Sequence, residues 1–348
     1  MPWTKTPTNG EDCANTAGKT GGRTLSYREA LLEAQKQLLQ SDPSVYLIGQ
    51  GIDDPDGVFG STAGLAEIFG KTRVLDTPIA ENGMTGIAIG SAIAGMRPVF
   101  IHMRSDFLPM CADQIINHAA KWRYMTGGGI SVPIVIRSII GRGWGSAAQH
   151  AQALHSLFCH IPGLKVCLPA TPYDAKGMLI KASRDGGPVM FFEHRWLYDS
   201  RGPVPEAMYE VDFGRAAVRR KGRDITIAAV SLLVREALKA ARELEKEGID
   251  AEIIDPRTLK PLDIDSIANS VKKTGRLLLC DNATIAFGAS AEIAAAVCEK
   301  AFFRLKAPPA RIGFPDCPVP ASPALEELYY PGAAEIAAAA RELMKYSK

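Results

Sequence analysis

The sequence has no run of about eighteen apolar residues, so nothing in it reads as a membrane-spanning helix. It has no excess of one charge either. The 40 Lys and Arg stand against 38 Asp and Glu, for a net charge of +2 and no extended basic run, which gives no electrostatic footprint for nucleic acid or an anionic membrane. The 7 cysteines are scattered (Cys13, Cys111, Cys159, Cys167, Cys280, Cys298, Cys317) and form no CxxC. That argues against a disulfide framework and a cysteine-based zinc site, and fits a reducing, cytoplasmic setting. No GxGxxG follows a strand with an acid about twenty residues on, as a dinucleotide-binding fold would require, and there is no HExxH. The opening "MPWTKTPTNGEDCANTAGKTGGR" lacks the apolar centre of a secretory signal, so residues 1–24 are expected to be a flexible tail. Small molecules and proteins remain as partners. With 348 residues, 47% of them hydrophobic, the chain can build two substantial cores.

From Ser26 onward, helical and strand patterns alternate. "SYREALLEAQKQLLQ" has helical spacing with Ser26 as N-cap, and "SVYLIGQGI" is an apolar run of strand length. "RPVFIHM", "VPIVIRSII", "LKVCLP" and "PVMFFEH" read as further strands, separated by the expected helices "CADQIINHAAKWRYM" and "TPYDAKGMLIKASRD". Strands apolar on both faces and interleaved with helices predict a mostly parallel sheet covered on both sides. After a Pro-, Gly- and charge-rich stretch the alternation resumes with "DITIAAVS", "IDAEIID" and "GRLLLCD", around the amphipathic "LVREALKAARELEKEG", whose Gly248 sits where a helix ends. The expected organisation is therefore α/β with two doubly wound domains: 25–205, a linker at 206–221, and a smaller domain at 222–348.

Glu81 is the first chemical candidate, because it opens "ENGMTGIAIG", an apolar helix carrying Gly83, Gly86 and Gly90. A helix N-terminus favours a carboxylate for stability alone. Three glycines, however, cost roughly 1 kcal/mol apiece relative to Ala, so close approach of another helix or a ligand is expected there. The second candidate is "GRGWGSAAQHAQALHSLFCH", a glycine-rich loop that delivers His150, followed by His155 and His160. His150 suits acid–base work or charge stabilisation; His155 reads as structural, and His160 is open between the two. Met103 and Phe107 lie four apart just beyond a strand end, where ligands dock in open α/β sheets, and a planar ring could sit against them.

Three blocks taken together, "DTPIAENGMTGIAIGSAIAGMRPVF", "DQIINHAAKWRYMTGGGISVPIVIR" and "AAQHAQALHSLFCHIPGLKVCLPATPYDAKGML", closely resemble the β subunit of thiamine-diphosphate-dependent 2-oxo acid dehydrogenases of the pyruvate, branched-chain and acetoin type. The resemblance implies a pyrimidine-binding domain followed by a transketolase C-terminal-like domain. It also implies that Glu81 hydrogen-bonds the ring nitrogen of the cofactor's aminopyrimidine, that Met103 and Phe107 line or stack on that ring, and that His150 is the active-site histidine. A structural potassium ion, held largely by main-chain oxygens, would fall at Ile134, Ala182, Ser183, Asp185 and Gly187.

Thiamine-diphosphate enzymes that hold the diphosphate themselves carry a GDG followed further on by Asn, which supply magnesium ligands; this sequence has no GDG. The resemblance thus implies half a site, completed by an α subunit that brings the diphosphate and Mg²⁺ in an α2β2 assembly, with a lipoyl acyltransferase as further partner and a small 2-oxo acid as substrate. Departures from the family's usual residues fall at His102, Arg104 and Ala151, and in "CDNATIAFG" and "FPDCPVPASPALEELYYP". The rival readings are a split transketolase, whose "DGPTHQ"-like signature is absent but whose sugar phosphate Arg104 and Arg142 could bind, and a non-catalytic stabilising subunit, against which the retention of Glu81 and His150 speaks.

Overall fold

The computed structural model describes residues 23–142 and 145–346. The tail expected at 1–24 lies outside the described residues except for Arg23 and Thr24. The strands of the first half are β1 (Thr24–Ser26), β2 (Val45–Gly49), β3 (Val74–Asp76), β4 (Arg97–His102), β5 (Val135–Ile140), β6 (Lys165–Cys167), β7 (Val189–His194) and β8 (Arg201–Pro203). Those of the second half are β9 (Ala217–Arg220), β10 (Ile225–Ala229), β11 (Ala251–Asp255), β12 (Thr258–Lys260), β13 (Leu277–Thr284) and β14 (Ala310–Phe314). The first seven-stranded sheet has the order β12-β6-β7-β5-β4-β2-β3 and is parallel apart from β12. The second has the order β14-β13-β10-β11-β9, with β9 antiparallel at its edge.

In the first domain the helices are α1 (Tyr27–Ser41), α2 (Leu65–Phe69), α3 (Glu81–Ile93), α4 (Trp122–Met125), α5 (His155–Cys159) and α6 (Pro172–Arg184). The second holds α7 (Leu232–Lys246), α8 (Ile264–Thr274), α9 (Ala289–Ala301), α10 (Pro323–Tyr329) and α11 (Ala333–Met344). Ser26 caps α1 as its sequence predicts: the Glu29 amide donates to Ser26 Oγ at 3.3 Å, and Glu29 Oε2 accepts from the Ser26 amide at 2.6 Å. At the other end of the molecule, α7 stops after Lys246, and Gly248 takes φ +80°, a conformation strained for any residue with a Cβ. No helix among the described residues is long and apolar enough to cross a membrane.

The stretch expected as one helix over 111–125 is broken. A 3₁₀ helix covers Ser105–Cys111, a π-helical turn covers Gln114–Ala119, and only Trp122–Met125 is α-helical. Pro109 lies inside the 3₁₀ segment and has no amide hydrogen to give, which favours an irregular path there. The stretch expected as linker, 206–221, ends in β9, which is built into the second sheet.

Cores form on both sides of the first sheet. One, under α1 and α6, includes Tyr27, Leu31, Leu47, Val99 and Phe191. The other runs from Phe100, Ile136 and Phe192 into Val230, Ile254 and Leu279 of the second domain, so the domains share one apolar interior. Arg219 of β9 fastens them further, giving hydrogen bonds to Asp255 of β11 and to Asp174 of α6, all three buried.

Candidate active site

β2, β3 and β4 are parallel neighbours, so their carboxyl ends lie together, and there the chain places Gln50, Thr77 and His102. This is where open α/β sheets receive ligands. Four residues after Thr77, Glu81 starts α3, only 5% exposed. Gln50 Nε2 donates to Glu81 Oε1 at 3.4 Å, whereas Glu81 Oε2 is buried without a hydrogen-bond partner. A carboxylate oxygen in that state needs a donor from outside the chain.

Glu81 lines a narrow cleft, about 240 Å³ including its open mouth, together with Gln50, Thr77, Met84, Phe100, His102, Met103 and Phe107. Polar and apolar groups share its walls, the carboxylate, amide, hydroxyl and imidazole standing beside two methionines and two phenylalanines. His102 packs against Phe100 with ring centroids 4.3 Å apart; burial pushes its pKa down to about 4, so the imidazole is neutral at pH 7, and its Nε2 also has no partner. Arg104, by contrast, does not line this cavity: its Nη1 donates to Gly141 O at 2.8 Å, at the root of the loop that leads to His150.

His150 is exposed and reaches the same place through Phe107, whose ring it meets edge-on at 5.7 Å between centroids and 83° between planes. Its loop is latched. The Gln152 amide and Nε2 both donate to Asp106 Oδ1, at 3.1 and 2.9 Å, and Ser105 Oγ donates to Gln152 O at 2.6 Å. The structure therefore brings together Glu81, Met103, Phe107 and His150. His155 and His160 stay apart from them: His155 is fully buried and its Nε2 pairs with Asp281 Oδ1 at 2.9 Å across the domain boundary, as the structural reading expects, while His160 is exposed on another face.

Gln50, Thr77, Met84 and the Asp106–Gln152 latch escaped the sequence reading. Only Gln50 had a signal, its position directly after an apolar strand and between two glycines. Two of the three glycines of α3 point outward: a Cβ at Gly83 or Gly90 would meet no described atom within 4 Å, whereas one at Gly86 would lie 3.3 Å from Gln114 Oε1, and Ile79 and Ile87 nearby are 83% and 59% exposed.

Ile134, Ala182, Ser183, Asp185 and Gly187 do gather, around the C-terminal end of α6 and its following turn. Four of the five already accept hydrogen bonds through their main-chain oxygens. Arg97 Nη1 donates to Ser183 O at 2.9 Å and Asp185 O at 3.3 Å, Ile134 O accepts from Val189, Ala182 O accepts from Asp185, and Lys165 Nζ pairs with the Asp185 carboxylate at 2.8 Å. Arg97 and Lys165 thus bring two positive charges to this cluster. Among the described residues, no group of three or more His, Cys, Asp or Glu converges to hold a metal.

Residues 23–200 match the family described as transketolase, pyrimidine binding domain, and residues 214–336 match transketolase, C-terminal domain. The chain is 49% identical over 336 residues to the β subunit of acetoin:2,6-dichlorophenolindophenol oxidoreductase from Cupriavidus necator, spanning 94% of this chain and 99% of that one. The chain belongs to the transketolase-like family of 2-oxo acid dehydrogenase β subunits. Other family members from Bacillus subtilis, the β subunits of 2-oxoisovalerate dehydrogenase and of the pyruvate dehydrogenase E1 component, are each 41% identical, over 92% of this chain and 99% of their own. A solved split-gene transketolase, described as an inactive β4 tetramer, superposes with a TM-score of 0.76 over 94% of this chain and 100% of that one. At 24% identity it speaks for the shared fold alone. The family's two-domain order is the order found here, with Glu81, Met103, Phe107 and His150 in the pyrimidine-binding domain.

Proposed function

We propose that this chain is the β half of a heteromeric thiamine-diphosphate-dependent 2-oxo acid dehydrogenase, and that Glu81 and His150 carry its share of the chemistry. The observation that supports this most directly is the buried, unpartnered Oε2 of Glu81 in a cleft at the carboxyl ends of three parallel strands. An aminopyrimidine with a protonated ring nitrogen matches that cleft chemically, because it offers the missing donor and its faces suit Met103 and Phe107. Thiamine diphosphate, when bound, supplies the nucleophilic carbon that attacks a 2-oxo group. Glu81 holds the proton at the ring nitrogen and thereby sets the basicity of the amino group opposite. Gln50 fixes the other carboxylate oxygen. His150, latched through Gln152 and braced by Phe107, is placed to exchange a proton with substrate at the mouth of the cavity.

The sequence carries no GDG motif for a diphosphate and Mg²⁺ half-site, so an α subunit is inferred to provide it, in an α2β2 assembly with the α3 glycine face in the subunit contact. A lipoyl acyltransferase is the expected acceptor partner, and the complex is expected in the cytoplasm. The higher identity to the acetoin oxidoreductase subunit than to the pyruvate and 2-oxoisovalerate subunits favours a second substrate reading, an acyloin such as acetoin at the same site. The test is calorimetric binding of thiamine diphosphate and Mg²⁺ to the chain alone and with its α subunit, followed by turnover of pyruvate, 2-oxoisovalerate and acetoin. Binding that requires the α subunit, and turnover that Glu81→Gln lowers by about 10²-fold or more, are expected. Tight binding by the lone chain, or intact turnover in Glu81→Gln, would overturn the reading.

A further inference from the structure

A second cavity, about 810 Å³ including its open mouth, shares no residue with the one at Glu81. It lies between the domains: Arg142, His194 and Trp196 come from the first, while Arg235, Lys239 and Tyr330 come from the second. Arg142 follows β5 and lies over two rings, its guanidinium carbon 4.0 Å from the Trp196 centroid and 4.8 Å from that of Tyr330. Its closest carboxylate oxygen, Glu326 Oε2, stands at 3.6 Å, beyond hydrogen-bonding distance.

Arg235, on the first turn of α7, adds a second guanidinium, and its Nε is buried without an acceptor. Lys239 is a turn further on and is neutralised by Glu236 at 3.0 Å. α7 begins with no side-chain cap, so its first amides add to the positive field. His194, 1% exposed, presents an Nε2 with no partner; burial together with the nearby Arg142, Arg104 and Arg195 drives its pKa down to about 3, so it is neutral and able to hydrogen-bond. Two guanidiniums drawn from different domains, one with an unmet Nε–H and the other only loosely paired with Glu326, make a place for an anion between aromatic walls.

We propose that this interdomain cavity binds a small organic anion with a flat apolar body, its carboxylate or phosphate taken by Arg142 and Arg235 and its ring set against Trp196 and Tyr330. The site is separate from the Glu81 cavity and does not depend on the reaction proposed there. Guanidinium pairs match both carboxylate and phosphate oxygens, so the head group is what the experiment distinguishes.

The test is titration of the full chain with phenyl phosphate, benzoate, inorganic phosphate and uncharged benzyl alcohol, read by calorimetry and by Trp fluorescence. One of the two aromatic anions is expected to saturate the chain, inorganic phosphate to bind more weakly and benzyl alcohol not at all; the better of the two anions identifies the head group. Arg142→Gln and Arg235→Gln should each weaken that binding about tenfold or more, Trp196→Phe should remove the fluorescence response, and Glu81→Gln should change nothing. Unchanged melting temperatures of Arg235→Gln and Trp196→Phe guard against loss of fold. The proposal fails if neither aromatic anion saturates the chain, if both arginine variants bind as wild type does, or if Glu81→Gln abolishes binding.

Discussion

Replacing Glu81 by Leu should make the isolated chain more stable while ending activity in the assembled enzyme. In the chain alone, Oε2 is buried without a donor and Oε1 has only the long 3.4 Å contact with Gln50. An unmet buried acceptor costs about 1–3 kcal/mol, more when charged. Against this stands the attraction of the α3 N-terminus for a carboxylate, worth about 0.3–1 kcal/mol. Leu is of similar volume and would rest against Met84 and Phe100, both already at the cavity wall. The balance is a gain of about 1–2 kcal/mol, or a melting temperature higher by roughly 1–3 °C for a chain of this size. Scanning fluorimetry and urea unfolding of the chain without its α subunit measure it, and turnover with that subunit checks the cost. A less stable Glu81→Leu chain would refute the reasoning, since it would mean that the carboxylate is already satisfied without ligand. A gain in stability paired with lost turnover is the mark of a residue kept for chemistry.

Acid should weaken the fold through His102. The folded state keeps this imidazole neutral down to about pH 4, while the unfolded chain takes up a proton below its ordinary value of 6.5. The unfolded state then binds more protons, so stability is lost as pH falls from about 6.5 towards 4, by on the order of 3 kcal/mol; urea midpoints of His102→Gln that kept the wild-type pH slope would contradict this. Asp106→Ala removes the acceptor of both Gln152 donors and should lower kcat of the assembled enzyme several-fold, with little change in thiamine-diphosphate affinity; a changed affinity and an intact kcat would refute the latch. Arg219→Met leaves Asp255 buried without the guanidinium that hydrogen-bonds it, while Asp174 keeps Arg257 at 3.0 Å, and should cost about 3 kcal/mol in urea unfolding, whereas an unchanged midpoint would show the clamp to be idle.

Local rules were readable before the structure. The N-cap at Ser26, the helix end at Gly248 and the alternating parallel pattern each depend on residues a few positions apart, and each appears as expected. The candidate residues were readable for a different reason: Glu81 and His150 stand in blocks that resemble the family's, and Met103 and Phe107 lie between two of them just beyond a strand end. What the sequence hid depends on distant partners. Nothing in "GQG" says that Gln50 will meet Glu81, 31 residues away, and nothing in "RSDF" says that Asp106 will hold Gln152. The helical pattern over 111–125 failed for a local reason, since its apolar spacing carried no sign of the π-helical turn at Gln114–Ala119.

The three-residue strand β12 has a consequence for how the protein is made. It belongs by sequence to the second domain, yet it pairs with β6 at the rim of the first sheet. During synthesis β6 is complete long before Thr258 leaves the ribosome, so for that interval the first sheet ends in an open row of unpaired amides and carbonyls. Such rims invite pairing with other chains. The second domain is therefore also a cover delivered late, and a fragment ending at residue 205 would carry the whole Glu81 site together with a permanently sticky edge.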